Sequence, residues 1–370
     1  MMILSLFLDL LPRDVGELGR RPGRQNYYLF QPGLGLSGPV DYPPGIERSD
    51  ANMTNYEGCQ FDQYRIDQLI AQGGFADVYK AWDDNLKRWV AIKVLNKRLT
   101  AEELTKFFEE ACIMASLRHP HIVTVFSFNN ITVYDPDRHR TITIPYLVMD
   151  FAPRGSLKQR HPLGERLSLD TIMGYLEQIV DALEYIHNHH LVHLDIKPAN
   201  MLVGADYEIL LSDFGIARFI QNTHRQRIYT MEDDWVGTAM YMAPERFGGQ
   251  VSPATDQYAL GIILFEWLTG ESPFYGTDDF QIMWRHIDTE APSLREICPD
   301  ISVAVERVVL KALSKDPHAR FKNVRELFFA FDEARHASFP RLLISLIRGY
   351  HCPSSRRKRH CACRHNAVSV

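Results

Sequence analysis

The chain has 370 residues, of which 45% are hydrophobic and 24% charged, and its formal net charge is −5 at pH 7. These values are typical of a globular protein and argue against a general nucleic-acid binder, whose surface would be strongly basic. The 6 cysteines follow no disulfide-framework spacing, which favours a reducing, cytoplasmic compartment. Because no run of about twenty apolar residues occurs, no transmembrane segment is expected.

The two ends of the chain differ in composition from its middle. Residues 1–60 are rich in Gly and Pro, which interrupt helices and central strands, so an irregular extension is predicted. Residues 1–11 are apolar but lack a basic n-region, and they are interpreted as a peripheral segment rather than a signal peptide. Residues 336–370 form a basic, flexible tail in this interpretation. Its Cys and His residues are either incidental or part of a small metal site.

Residues 61–150 have the pattern of strands around one helix. Thr100 and Glu103 have the spacing of a capping box, so the helix is predicted to begin there. Runs of apolar, β-branched and aromatic residues predict the strands. They are expected at 79–82, 88–94, 122–128 and 142–151.

Residues 151–335 have the period of helices. A long amphipathic helix is predicted at 168–190, and a helix that is apolar nearly all round at 258–268. The chain is therefore predicted to be α+β and bilobal, with a small antiparallel β-sheet N-lobe and a larger, mainly α-helical C-lobe. Such a fold leaves a cleft between its lobes, where ligands often bind.

Two glycine-rich loops differ in their setting. Residues 33–38 match G-x-G-x-x-G in every letter, but prolines flank them and no strand precedes them, so this match is interpreted as a decoy. The loop at 71–78, AQGGFADV, lies between two predicted strands. Gly73 and Gly74 permit a close approach of the backbone to phosphates, and Phe75 stands where it could cap them. On its own, this loop also fits an ordinary hairpin turn.

Phosphoryl transfer needs a held triphosphate, a metal ion between its oxygens and an oriented acceptor hydroxyl. Lys93, on the strand that follows the glycine-rich loop, is a candidate for binding the phosphates. Such a lysine needs a carboxylate to fix it, and Glu110 on the predicted helix is the candidate, with Glu109 as its neighbour. Alone, Lys93 also fits a solvated strand lysine.

The segment HLDIKPAN at 193–200 carries the other candidate groups. Asp195 can accept a hydrogen bond from the acceptor hydroxyl as a base, and Lys197 can neutralise charge on the transferred group. Asn200 and Asp213 offer an amide oxygen and a carboxylate to Mg²⁺ or Mn²⁺. Each residue singly also fits a turn residue. Their joint order and spacing favour phosphoryl transfer from ATP.

These segments resemble the eukaryotic-like (Hanks-type) serine/threonine protein kinase family, and most of all its bacterial-type members. The resemblance covers 61–335 and rests on VAIK at 90–93, HLDIKPAN, DFG at 213–215 and APE at 243–245. It implies a protein kinase domain with an N-lobe at about 61–150 and a C-lobe at about 151–335. It also implies ATP-dependent phosphorylation of serine and threonine hydroxyls on proteins, with autophosphorylation and a signalling role.

The same resemblance assigns further residues. Arg320 should pair with Glu245, and the activation segment should begin at Gly215 and include Thr230 and Thr238. ATP and protein substrates are the implied partners, with no nucleic acid, and a homodimer through the domain is left open. Met114, His193 and Phe214 should stack inside the domain. The implied nucleotide contacts are Ile70, Ala71, Gln72, Gly73, Gly74, Phe75, Ala76, Val78, Ala91, Lys93, Met149, Asp150, Ala152 and Leu202.

Leu194 departs from the family pattern, which has arginine between the histidine and the aspartate of this segment. That arginine normally binds a phosphate on the activation segment through charge-assisted hydrogen bonds, which leucine cannot make. Phosphorylation of the segment is therefore not expected to be the main on-switch, unless Arg218 or Arg225 supplies the cation.

Thr230→Ala is the variant that tests this expectation. We expect it to retain most of the wild-type rate of phosphoryl transfer, because position 194 carries no arginine that would bind a phosphate on the activation segment. Rates of transfer to a generic protein substrate measure the effect. An inactive variant with an unchanged unfolding temperature would contradict it.

Two other functions stay open at the level of sequence. A catalytically silent, kinase-like binding module would be expected to lack one of Lys93, Asp195, Asn200 or Asp213, and none is lacking. A small-molecule phosphotransferase of related fold commonly carries histidine where Lys197 stands, and it lacks an Ala-Pro-Glu segment.

Overall fold

The computed structural model of the chain describes residues 55–73, 76–95, 108, 111–135, 140–213, 217–218 and 239–337. The predictions for residues 1–54 and for the tail beyond 337 lie outside these ranges. Within them, Tyr56 and Cys59 are buried in the core of the small lobe, so the ordered core already includes residues before 61.

The small lobe contains a 6-stranded antiparallel sheet with the order β1-β2-β3-β4-β6-β5. Its hairpins connect strands that are neighbours in sequence, as short turns require. The strands predicted at 79–82 and 88–94 are present and pair with each other, and Asp83 lies opposite Arg88 at the turn. The strands are β1 Gln60–Phe61, β2 Tyr64–Gln72, β3 Ala76–Asp83, β4 Arg88–Leu95, β5 Val125–Asp135 and β6 Arg140–Asp150.

Strands β5 and β6 are longer than their hydrophobic runs indicated, β5 at its C-terminal end and β6 at its N-terminal end. They pair continuously from Asn130 opposite Pro145 to Asp135 opposite Arg140. The extension is rich in Ile, Thr and Val, whose branched side chains favour strands when a partner strand is present. Strand pairing thus continues through residues 129–135, which lie beyond the predicted strand 122–128.

The two faces of the sheet pack against different cores, because successive side chains of a strand point to opposite faces. Tyr79, Ile92 and Tyr146 belong to a core confined to the small lobe. Ala91 and Met149 point the other way and join the large cluster that also contains the helices. This second face forms one wall of the join between the lobes.

The large lobe is built around a buried helix, Pro253–Thr269. Ser252 and Thr255 form a capping box at its start, and every residue from Thr255 to Thr269 is buried. It ends at Gly270, whose φ of 81° is a conformation that favours glycine. The other helices are Leu157–Arg160, Leu169–Asn188, Pro244–Phe247, Asp279–Asp288, Leu294–Ile297, Val303–Ala312 and Val324–His336.

The long helix Leu169–Asn188 follows its amphipathic pattern with one difference. Ser168 caps its start, and Ile172, Leu176 and Ile179 are buried as their spacing predicted. Tyr175, on the same face, is only partly buried, because its hydroxyl reaches His161 Nε2 at 3.0 Å. A phenol at the rim of a core commonly keeps such a polar contact.

The described elements confirm the predicted α+β, bilobal architecture. Two short two-stranded sheets lie at the join, and residues 111–116 are helical on the side of the small lobe. The short strands are β7 Leu191–Val192 with β10 Ala217–Arg218, and β8 Met201–Val203 with β9 Ile209–Leu211.

Within the described ranges, every helix is too short or too polar to serve as a membrane span.

Candidate active site

Lys93 reaches across the join between the lobes. It lies on β4 opposite Val78 and Leu147, on the face of the sheet that turns toward the helices. Its Nζ donates a hydrogen bond to Asp213 Oδ1 at 2.8 Å, and the Asp213 side chain remains 41% exposed. The charge of Lys93 holds the pKa of Asp213 below its ordinary value, and Lys197 adds to this effect. The Asp213 carboxylate is therefore ionised at neutral pH and accessible.

Asp195, Lys197 and Asn200 form a second cluster on the loop after β7. Lys197 Nζ lies 2.9 Å from Asp195 Oδ2. The side-chain nitrogen of Asn200 donates to the same Asp195 oxygen at 2.7 Å and to the Asp195 carbonyl at 2.9 Å. Since the amide nitrogen of Asn200 is turned toward Asp195, its Oδ1 is the group left to act as an acceptor.

Main-chain contacts join the two clusters. The N–H of Ser212 donates to the Asn200 carbonyl at 3.0 Å, immediately before Asp213. Asp213 itself has a φ of 54°, a left-handed conformation that Asp tolerates better than most residues. This hydrogen bond fixes the loop relative to Asp213. The five polar side chains of the two clusters therefore lie in one region.

The buried carboxylate of Asp256 binds the main chain at the start of this loop. Asp256, on the buried helix, accepts from the main-chain N–H groups of His193 and Leu194, each at 2.9 Å. His187 Nε2 lies 2.8 Å from the same carboxylate. Burial by itself would raise the pKa of Asp256, but these hydrogen bonds outweigh it and lower the pKa below its ordinary value. Asp256 is therefore a fixed negative anchor.

The apolar residues expected around an adenine share one cluster. Ala91 and Met149 are directly opposite each other on β4 and β6, and Val78 and Leu202 pack against the same core. Ile70, at the edge, is 39% exposed. The structure thus brings strand residues and a helical-lobe residue, Leu202, to the two sides of the join.

The described part of the glycine-rich loop has close packing at Gly73. A Cβ added there would lie 2.9 Å from the carbonyl oxygen of Ala76, closer than real Cβ contacts, so only glycine fits without a shift. Ala71 and Gln72 are exposed at the end of β2, and Ala76 is buried at the start of β3. Gly74 and Phe75 lie outside the described residues.

Asp150 and Ala152, two of the implied nucleotide contacts, lie where the chain leaves the sheet at the end of β6. The Asp150 N–H donates to the Thr124 carbonyl at 3.0 Å, and the Thr124 N–H donates back to the Asp150 carboxylate at 3.2 Å. These reciprocal bonds fix the point where the chain leaves the sheet. Ala152 is partly buried against the main core.

The predicted stack of Met114, His193 and Phe214 lies only partly within the described residues. His193 and Met114 of the predicted stack are both buried, at 0% and 2% exposure. Their third member, Phe214, lies outside the described residues, so the stack stays a prediction. The same holds for Glu109, Glu110, Gly215, Thr230 and Thr238.

The predicted pair of Glu245 and Arg320 is present as a bidentate salt bridge. Nη1 and Nη2 of Arg320 each lie 2.8 Å from one oxygen of Glu245. Nε donates to the Ser314 carbonyl at 2.8 Å, and both side chains are almost fully buried. This pair holds the helix Pro244–Phe247 against the segment before the last helix.

Arg246, the next residue, is a contact that the sequence reasoning missed. Its Nη1 donates a hydrogen bond to the main-chain carbonyl of Leu194, in the loop that carries Asp195. The two arginines considered as substitutes for the missing cation were Arg218, whose side chain is not described, and Arg225, which lies outside the described residues. In the sequence, only the position of Arg246 directly after the Ala-Pro-Glu motif could have drawn attention to this residue.

Glu266 is a buried acid beneath the turn Ala239–Tyr241. Its Oε2 accepts a hydrogen bond from the Tyr241 hydroxyl at 2.9 Å, and the residue is 5% exposed. Burial raises the pKa of Glu266 to about 7, although the bond from Tyr241 opposes this. The folded protein therefore binds this proton more tightly than the unfolded chain, and stability is lost as the pH rises from 4.5 toward about 7.

Glu266→Gln should consequently be more stable than the wild type at high pH only. The amide keeps an acceptor for Tyr241 and never ionises. Above about pH 7, the variant therefore avoids the cost of ionising a buried acid, which is about 3 kcal/mol in the free energy of unfolding. Thermal unfolding at pH 5 and pH 8 measures this, with a gain of several degrees expected at pH 8 alone. An equal difference at both pH values would contradict the explanation.

The class of protein follows from comparison with known families. The model of the protein kinase domain matches residues 64–329, and the chain belongs to this family. The resemblance to its bacterial members is confirmed by three relatives. They are a probable serine/threonine-protein kinase PknB of Lactococcus lactis, PrkC of Bacillus subtilis and PknB of Mycolicibacterium smegmatis.

These relatives are 34%, 34% and 33% identical over 270, 268 and 277 residues, respectively. Each alignment covers 72% of this chain and 41%, 39% or 42% of the relative. The chain thus spans about two fifths of the length of these curated relatives. Members of the protein kinase family generally use ATP with Mg²⁺.

Proposed function

We propose that this chain transfers the γ-phosphoryl group of ATP to serine and threonine hydroxyls on proteins, itself included. The observation that supports this most strongly is the convergence of Lys93 and Asp213 with Asp195, Lys197 and Asn200. The two lobes contribute to it jointly, through direct contacts of 2.7 to 2.9 Å.

Each side chain has a role that its contacts support. Asp195, held by Lys197 and Asn200, accepts a hydrogen bond from the incoming hydroxyl and aligns it for attack. Lys197 lies beside that carboxylate and neutralises charge that develops on the transferred group. Lys93 binds phosphate oxygens from the side of the sheet. In this proposal Val78, Ala91, Met149 and Leu202 enclose the adenine.

The donor set suits a small, hard cation. The Asn200 amide oxygen and the Asp213 carboxylate are oxygen ligands, and Mg²⁺ usually takes only one or two carboxylates from a protein. The lowered pKa of Asp213 keeps that ligand charged at neutral pH. Asn200 and Asp213 would hold Mg²⁺ or Mn²⁺ there, and the ion would neutralise negative charge on the phosphate oxygens.

Serine and threonine are the proposed acceptors for two reasons. Lys197 lies two residues after Asp195, the spacing that resembles the serine/threonine branch, and the similar bacterial proteins carry that name. A signalling role in the cytoplasm belongs to the proposal, the location being argued from the sparse cysteines. The proposal also includes a kinase domain that spans residues 61–335.

Transfer of radiolabelled phosphate from ATP tests the proposed function. The chain is incubated with Mg²⁺ or Mn²⁺ and a generic protein substrate, and the labelled residues are identified after hydrolysis. We expect phosphoserine and phosphothreonine, and loss of labelling on chelation of the metal. Labelling of a small molecule alone, or none in the wild type, would overturn the proposal. An Asp195→Asn variant prepared in parallel excludes a copurifying kinase.

A further inference from the structure

Leu194 adopts an unusual main-chain conformation in the segment 193–200, which is called the catalytic loop below. Its φ is 67°, in the left-handed region, and the residue is 4% exposed. A residue with a bulky side chain is disfavoured there, so the surroundings must determine this conformation. Leu194 immediately precedes Asp195, and its carbonyl belongs to the peptide group that leads into that aspartate.

The amide end of Leu194 is held from the buried helix. The Leu194 N–H donates to Asp256 Oδ1, and the preceding N–H, of His193, donates to Oδ2 of the same carboxylate, each at 2.9 Å. Asp256 is itself buried and bonded to His187. One side of the strained residue is therefore fixed by a group that cannot easily move.

The carbonyl end is held from a different segment. Nη1 of Arg246 donates to the Leu194 carbonyl, and Arg246 is adjacent to Glu245, which Arg320 anchors through two bonds of 2.8 Å. A hydrogen bond from a guanidinium is about twice as strong as one between neutral groups. The peptide group between Leu194 and Asp195 is thus held by a charged side chain of the Ala-Pro-Glu segment.

We propose that Arg246 is a positioning residue for Asp195 in the reaction proposed above. By holding the Leu194 carbonyl, it orients the following peptide so that the Asp195 carboxylate keeps its contacts with Lys197 and Asn200. Arginine is charged at every physiological pH, so this link needs no covalent modification. Arg246 thus supplies the loop with a permanent cation, which Leu194 itself cannot supply.

Arg246→Gln removes the charge and retains a side chain of similar polarity. We expect kcat to fall by about 10- to 100-fold, since misplacement by 1 Å can cost as much, with KM for ATP unchanged because Lys93 and Asp213 are untouched. Arg246→Lys, which keeps a cationic donor, should recover part of the loss. Arg295→Gln is the matched control, because the Arg295 guanidinium also binds a main-chain carbonyl, that of Ile301 at 3.2 Å, rather than one of the loop.

Coupling to Asp195 separates positioning from a general structural role. In an Asp195→Asn background, Arg246→Gln should lower the residual rate by less than about twofold, because residues that act as a unit are not additive. A full repeat of the single-variant loss in this background would overturn the proposal. So would wild-type kcat in Arg246→Gln, or an Arg246→Lys variant no better than Arg246→Gln.

Amide hydrogen exchange gives a readout that does not depend on phosphoryl transfer. Exchange in residues 193–200 should be faster in Arg246→Gln than in the wild type and unchanged in Arg295→Gln. Unchanged exchange in Arg246→Gln would overturn the positioning role, even in an active enzyme. Faster exchange in a chain whose wild type transfers no phosphate would support the contact and refute the proposed function instead.

Discussion

Asp195→Asn is expected to lower kcat for phosphoryl transfer by about 10²- to 10⁴-fold, the usual contribution of a positioned general base. Asparagine has nearly the same size and retains one oxygen toward Asn200, but it cannot take up a proton or carry the charge that Lys197 binds. Affinity for ATP should change little, since Lys93 and Asp213 stay in place. Steady-state kinetics with ATP and a protein substrate measure both quantities.

Asp300→Asn is the matched control for this prediction. Asp300 also forms an ion pair, with Arg166 at 2.8 Å, but its side chain is 69% exposed. Its loss should leave kcat unchanged. If Asp195→Asn kept more than about a tenth of the wild-type kcat, Asp195 would not be the base that the proposal requires.

Arg320→Met is expected to have the largest effect on stability. The Arg320 side chain is 0% exposed and that of Glu245 5%, so the substitution leaves a buried carboxylate without its cation. Breaking a buried pair in this way costs about 3–5 kcal/mol. At about 2–4 °C for each kcal/mol in a domain of this size, the unfolding temperature should fall by roughly 10 °C. Thermal unfolding at neutral pH measures the change.

A double variant shows whether the cost comes from the abandoned charge. Arg320→Met with Glu245→Met should be less destabilised than Arg320→Met alone, because no buried charge is left. Asp300→Asn breaks the exposed pair with Arg166 and should leave the unfolding temperature almost unchanged. Equal losses in the Arg320→Met and Asp300→Asn variants would contradict the role of burial.

Local sequence was sufficient for the groups that lie within short segments. Asp195, Lys197 and Asn200 are separated by a few residues, so the sequence by itself already places them on one loop. The hydrophobic periods likewise predicted the long helix and the strand pair around Asp83, because such patterns reflect which face is buried. The bilobal, α+β architecture followed from where the period changes from strand to helix.

Contacts between distant segments depended on the tertiary structure. Lys93 meets Asp213 across 120 positions, and Arg246 reaches Leu194 across 52. No local propensity encodes such pairs, and only the family resemblance had suggested one of this kind, between Glu245 and Arg320. The length of β5 and β6 was likewise decided by pairing, since each strand extends only where its partner supplies hydrogen bonds.

The sequence by itself therefore determined which chemical groups this protein has and which of them lie on one turn. Its motifs also determined the family, and Leu194 marked the place where the usual cation is missing. Apart from the pair of Glu245 and Arg320, which the family resemblance implied, only the tertiary structure decided which charges compensate one another. The partner of the catalytic loop, Arg246, was decided in that way, because a guanidinium can bind a carbonyl only after the buried helix and the Ala-Pro-Glu segment have packed around it.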